Sequence, residues 1–163
     1  MKKTIDLMTA YKASKDNLVK IVTALLTVFG LYLVYDDKYI ISALIFMVLL
    51  ISFLFAPRKY ILHGSELIIE RPMGNKCIPF ESIKAIEIPD RSITRRTIRT
   101  FGVGGVFGYF GRFHNSKLGP LTLYATQRKN HVLLSLKSGS KIIITPDDLQ
   151  LADAVRERII STE

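Results

Sequence analysis

The residues best equipped for chemistry lie together between positions 91 and 113. Arg91, Arg95, Arg96 and Arg99 lead into the run FGVGGVFGYFGRF at residues 101–113. There Phe101, Phe107, Tyr109, Phe110 and Phe113 alternate with glycine, and Arg112 follows the last glycine. Five of the chain's ten glycines fall within residues 102–111, too dense a cluster for ordinary strand or helix. A guanidinium offers a planar fork of donors to phosphate or carboxylate, and an aromatic ring offers broad apolar area at low entropic cost. Glycine lets a backbone turn or approach closely. Three uses follow. The glycines make tight turns while the rings fill the mouth of a β-domain; the rings enter a membrane interface while the arginines meet lipid phosphates; or the block is an anchor for a protein partner or a second copy. A nucleotide cradle does not fit. The dinucleotide fingerprint needs a third glycine where Phe107 stands, and the P-loop needs Lys-Ser/Thr where Arg112 and Phe113 stand.

Other reactive types are scattered. His63, His114 and His131 lie in three separate segments and Cys77 is the lone cysteine, so no metal-ligand spacing arises and no cofactor is expected. Cys77 has no intrachain partner, which agrees with a reducing compartment, and KCIPF reads as a strand with the thiol in the core. Asp147 and Asp148 follow Thr145 and Pro146 in the pattern of a helix start, which explains them better than a catalytic pair does. No nucleophile elbow occurs, and enzymatic activity is not expected.

What must position the block is partly a membrane. Residues 18–35 carry one charge, Lys20, and residues 39–56 carry none; only Asp36, Asp37 and Lys38 separate them. At about 1.5 Å per residue each run spans roughly 27 Å, close to a bilayer's hydrocarbon thickness. The expectation is a transmembrane helical hairpin, with Asn17 capping the first helix. Five lysines within residues 1–20, and Arg58 with Lys59 after the second run, outweigh the one lysine of the turn. Both termini are therefore expected in the cytoplasm, with the chain a multi-pass protein of the cytoplasmic membrane and no cleaved signal peptide. Formal net charge is +9, and residues 57–163 hold 17 basic against 10 acidic side chains. Beside a bilayer this favours anionic lipid headgroups as partners; nucleic acid is not expected. An accessory subunit of a membrane enzyme or transporter is the second reading; the lack of further charge within the runs counts against it.

Residues 1–17 read as a cytoplasmic segment, either a weak interfacial helix or a frayed end. After Pro57 the pattern changes to short strands at 60–62, 67–69, 76–80, 82–88, 121–126, 131–137 and 141–145, separated by Gly, Asn, Ser and Pro. A final helix follows, with Leu149, Ala152, Val155 and Ile159 on one face. The fold class is thus α+β: a helical hairpin at 18–56, then a domain at 57–163 of seven strands forming a barrel or orthogonal sandwich, closed by the helix.

This order of elements resembles the bacterial pleckstrin-homology-like (PH) domain families, membrane-anchored branch. The residues that carry it are Ile78-Pro79-Phe80 with Ile83; the block from Arg99 through Gly111; Tyr124-Ala125-Thr126; Val132-Leu133-Leu134; and Ile143-Ile144-Thr145-Pro146-Asp147-Asp148. The resemblance covers roughly residues 59–162. It implies a seven-stranded barrel with a C-terminal helix and no catalytic activity, and the fold analogy itself supplies no ligand. Taken with the residues of the block at 91–113, the expected function is a membrane-anchored binding or scaffolding module that presents that block to lipid headgroups or a protein partner.

Overall fold

The computed structural model describes residues 8–90 and 97–161 of the chain. A short strand, β1 (Thr9–Lys12), is followed by two apolar helices, α1 (Asn17–Tyr35) and α2 (Tyr39–Phe55). Asp16 caps α1, not the expected Asn17: its Oδ1 accepts the Val19 N–H at 2.8 Å, which a residue one step inside the helix cannot do. The helices pack as an antiparallel pair. Gly30 lets the Phe46 ring approach to where a Cβ would sit 3.3 Å away, and the Ser42 hydroxyl donates to the Gly30 carbonyl at 2.9 Å. Small and polar residues thus lie between the helices, while Ile21, Leu25, Val28, Leu44 and Leu50 point outward. By length and composition α1 suffices to cross a membrane; α2, at 17 residues, is a shorter apolar helix, so the two equal spans expected at 18–35 and 39–56 differ in length.

The rest of the chain makes two sheets. β2 (Lys59–His63), β3 (Glu66–Glu70) and β4 (Lys76–Pro79) extend β1 into a four-stranded antiparallel sheet in the order β1-β2-β3-β4. A 3₁₀ turn leads to β5 (Ile83–Glu87), which joins β6 (Thr97–Gly104), β7 (Tyr109–Asn115), β8 (Gly119–Ala125), β9 (Val132–Leu136) and β10 (Lys141–Ile144) in the order β5-β9-β10-β8-β7-β6. All pairings there are antiparallel except β8 with β10. The seven expected strands are present as β2–β5 and β8–β10. The expected seven-stranded closed barrel is not: β1, β6 and β7 add strands, and the two sheets stay open.

The core lies between the sheets. Tyr60, Leu62, Leu67 and Ile69 meet Ile83, Val132, Leu134, Ile142 and Ile144, and α3 (Gln150–Ile160) adds Leu151, Ala152 and Val155. Tyr60 is buried at its centre; its hydroxyl donates to the Tyr124 carbonyl at 2.6 Å and accepts the Thr145 N–H at 3.2 Å. Burial pushes that phenol's pKa up to about 12, against a smaller opposing effect of the Thr145 contact. A second apolar cluster of Phe113, Leu121, Leu123, Leu133 and Ile143 lies on the other side of the six-stranded sheet.

Three expectations change. The segment at 9–12 is neither interfacial helix nor frayed end, because it pairs with β2 in the register Thr9↔Leu62. Thr145, Pro146 and Asp147 do not open the terminal helix, which begins at Gln150. Instead they tie the N-terminal segment to the sheet: Asp147 accepts from the Ser14 N–H and hydroxyl at 3.0 and 2.6 Å, and Thr145 Oγ1 accepts the Thr126 N–H at 2.9 Å. Asp148 does stay near the helix start, where its Oδ1 accepts the Gln150 N–H at 2.9 Å. Cys77 is exposed rather than buried: β4 alternates, and Ile78 takes the inward place. Its thiol pKa is pushed up, first by desolvation and then by the Glu66 carboxylate.

Candidate functional site

The glycine-rich block is a β-hairpin at the edge of the six-stranded sheet, not a loop. β6 and β7 pair from Thr97↔Asn115 to Gly104↔Tyr109, and β7 pairs onward with β8. Gly102 and Gly111 face each other and explain two of the five glycines. Their φ angles are 135° and 120°, and a Cβ on either would lie 2.3 or 2.4 Å from a backbone oxygen of the opposite strand. No side chain fits that crossing, so the sequence there is fixed by backbone approach.

A register shift between Arg99 and Phe101 then sets which rings are free. It leaves Thr100 with its hydroxyl donating to the Arg112 carbonyl at 2.9 Å and sets Phe101 opposite Arg112. Phe101 is 79% exposed and Ile98 is 73% exposed, whereas Phe110 and Phe113 are buried. Arg99 and Arg112 are exposed, and neither has an ion pair among the described residues. Tyr109 is half-buried, its pKa raised by burial and then by the Asp16 carboxylate. Arg91, Arg95 and Arg96 lie outside the described residues.

The hairpin tip does something else. Residues 105–108 turn with the Gly105 N–H donating to the Gly108 carbonyl at 2.9 Å, and Phe107 has φ 53°. The Phe107 N–H donates to Thr23 Oγ1 of α1 at 3.1 Å, and its ring meets Phe53 of α2 edge-on with centroids 5.4 Å apart. Lys15 Nζ lies 4.6 Å above the same ring, and Arg58 stands 5.0 Å over Phe53. A second contact comes from the β3–β4 turn, where the Met73 N–H donates to the Leu54 carbonyl at 2.9 Å and Arg71 lies over Phe55. The β-domain is therefore fastened to the charged end of the helix pair.

Of the ten residues the sequence singles out, the structure leaves Arg99, Phe101 and Arg112 exposed together, buries Phe110 and Phe113, half-buries Tyr109, and uses Phe107 as the fastener. Sequence reasoning missed Lys15, Thr23, Phe53 and Arg58 as neighbours of the block. Thr23, a hydroxyl inside an apolar run, was the one available signal.

No residue group suited to a metal ion occurs among the described residues. One cleft, of about 520 Å³, is open and lined by Arg112, His114, Lys141 and the β9–β10 turn among others. It lacks the enclosed apolar wall typical of small-molecule sites.

The sheets, the terminal helix and the hairpin at their edge have a counterpart among known families. A family model described as the bacterial PH domain matches residues 58–159, from just before β2 to near the end of α3. Neither a curated protein nor a solved structure gives a match. The match spans well over half of the chain, and PH domains are generally non-catalytic binding modules. The chain belongs to the bacterial PH domain family.

Proposed function

We propose that this chain is a membrane-anchored PH-like binding or scaffolding module. In this reading α1 and α2 both cross the cytoplasmic membrane, both termini are cytoplasmic, and the exposed edge of the β6–β7 hairpin faces lipid headgroups. The outward-facing Leu, Ile, Val and Phe of both helices support the anchor, since so large an apolar surface is unfavourable in water. At 17 residues α2 reaches roughly 26 Å, a mismatch that local thinning accommodates. The bias of Lys and Arg toward the flanks supports the orientation.

One observation carries the lipid-facing part. The hairpin tip is fixed against Thr23 and Phe53 at the helices' charged end, and Phe101 with Arg99 and Arg112 lies only a few residues along the strand. Four residues of strand amount to about 13 Å, within reach of the headgroup layer for a ring and two long cations. A specific observation favours a second reading. Among the described strands β6 has a neighbour on one side only, so Ile98 and Phe101 could receive a partner strand or a second copy.

The chain contains no tryptophan, so one introduced indole reports alone. In full-length protein in nanodiscs, Phe101→Trp should emit at short wavelength and be quenched by brominated lipid. Ser116→Trp, at the far end of β7, should not. Phe101→Trp fluorescence that ignores brominated lipid, but shifts on dilution of the protein, would favour the partner reading instead.

A further inference from the structure

We infer that Lys15 and Arg58 together bind the phosphate of an anionic phospholipid where the helix pair meets the β-domain. The inference rests on the membrane reading above and concerns a place the glycine-rich hairpin does not itself supply. Lys15 precedes α1 by two residues and Arg58 follows α2 by three, so both stand where the helices leave the apolar layer. Each cation lies over a ring, Phe107 at 4.6 Å and Phe53 at 5.0 Å, and the two rings touch. One aromatic pair thus carries two cations on its flanks.

Neither cation has a carboxylate partner among the described residues, whose ion pairs are Lys38–Asp36, Arg128–Asp16 and Arg156–Asp153. Glu70, whose backbone carbonyl accepts the Arg58 N–H at 2.9 Å, makes no ion pair with either cation, and two other nearby acids are committed. Asp16 caps α1 and pairs with Arg128, and Asp147 accepts from Ser14. Lys15 is only partly exposed, and its pKa is lowered first by burial and then by the charge of Arg58. Two like charges beside each other, one half-buried, are unfavourable until an anion sits between them. The aromatic pair beneath them offers apolar surface to the glycerol and acyl carbons of a lipid, which a free phosphate would leave unused. Cations at this level of a bilayer meet phosphodiesters before any other anion.

Full-length protein in nanodiscs of equal parts phosphatidylglycerol and phosphatidylcholine, then released and weighed by native mass spectrometry, tests the assignment. The parent should retain phosphatidylglycerol in preference. Lys15→Gln with Arg58→Gln should lower that preference about thirtyfold, at about fivefold per cation. Lys117→Gln with Lys137→Gln, at the far end of the domain, should leave it unchanged. Lys15→Arg with Arg58→Lys should keep most of it, and an equal loss in this pair would overturn the inference because charge would not be the cause. Retention by the neutral pair at the parent's level would also overturn it, as would displacement of the lipid by millimolar inorganic phosphate. Failure of the parent to enter nanodiscs at all would be seen earlier, at reconstitution, and would overturn the membrane reading and this inference together.

Discussion

In the helix pair Leu25 is 64% exposed and Ile40 is 80% exposed, while the buried positions are shared between Gly30, Ser42 and Ser52 and the aliphatic Val19, Leu33 and Leu49. In the sheets Leu62, Leu67, Ile69 and Leu134 are wholly buried, and Lys, Glu and Ser face outward. The helix pair instead leaves most of its aliphatic side chains exposed and buries two serines. On the membrane reading proposed above, the medium around each region decides the placement: in water the apolar side chains gain by leaving the solvent, whereas between helices in lipid close contact is the available gain. The Phe107 tip lies where these two rules meet, and it uses a ring, a backbone N–H and a neighbouring cation at once.

The sharpest way to break this comparison is to place the same charge in each region. Val155→Asp buries a carboxylate among Leu151, Ala152 and the sheet residues of the core, and should cost about 4 kcal/mol or more, enough to unfold the domain. Leu25→Asp should leave thermal melting of the β-domain in detergent unchanged while reducing membrane insertion by roughly 3 kcal/mol. Thermal melting followed by circular dichroism, paired with carbonate extraction from membranes, reads both. Equal loss of melting temperature in the two variants would mean that α1 packs as a water-soluble core helix does.

A finer comparison lies inside the glycine-rich hairpin. Phe110→Ser removes a buried ring and should cost about 3 kcal/mol, while Phe101→Ser removes an exposed one and should change stability by less than about 0.5 kcal/mol. Denaturant titration of the detergent-solubilised chain separates them. Similar costs for both would mean that Phe101 is covered by something packed on the hairpin edge.

The two rings look alike in the sequence, and this marks where reading the sequence ran out. Strands β2–β5 and β8–β10 were legible because Leu, Ile and Val alternate or cluster between turn residues. β1 was not, since Thr-Ala-Tyr-Lys carries little pattern and is a strand only because β2, nearly fifty residues later, pairs with it. β6 and β7 were hidden by glycines that ordinarily mark loops. Gly102 and Gly111 mark instead a crossing too close for a Cβ, a long-range fact with no local sign. The register shift beside Phe101 resets the alternation, so exposed and buried rings could not be sorted by counting. Thr145-Pro146-Asp147 carried a helix-start signature but serves a tertiary tie to Ser14. Likewise Lys15 and Arg58 were legible as flanks that orient the helices. Only folding brings them to the same pair of rings.

The smallest expected effect tests the joint itself. Thr23→Val keeps the side chain's shape and removes the hydroxyl that accepts the Phe107 N–H at 3.1 Å. Thr23 Oγ1 also donates to the Val19 carbonyl at 2.7 Å within its own helix, so the variant gives up two contacts, of which the second is local to α1. A single neutral hydrogen bond contributes about 1 kcal/mol, and leaving the amide unpaired in a partly buried place costs about as much. Global melting should therefore move little, because neither core depends on this bond. Opening of the tip should become easier by about 1 kcal/mol, read as faster hydrogen exchange at the Phe107 amide, with the amides of β8 and β10 unchanged as the internal reference. Faster exchange throughout β6–β8 would mean that the helix pair supports the whole edge of the sheet rather than its tip. Unchanged exchange at Phe107 would mean that ring contact with Phe53, and not the hydrogen bond, holds the two regions together.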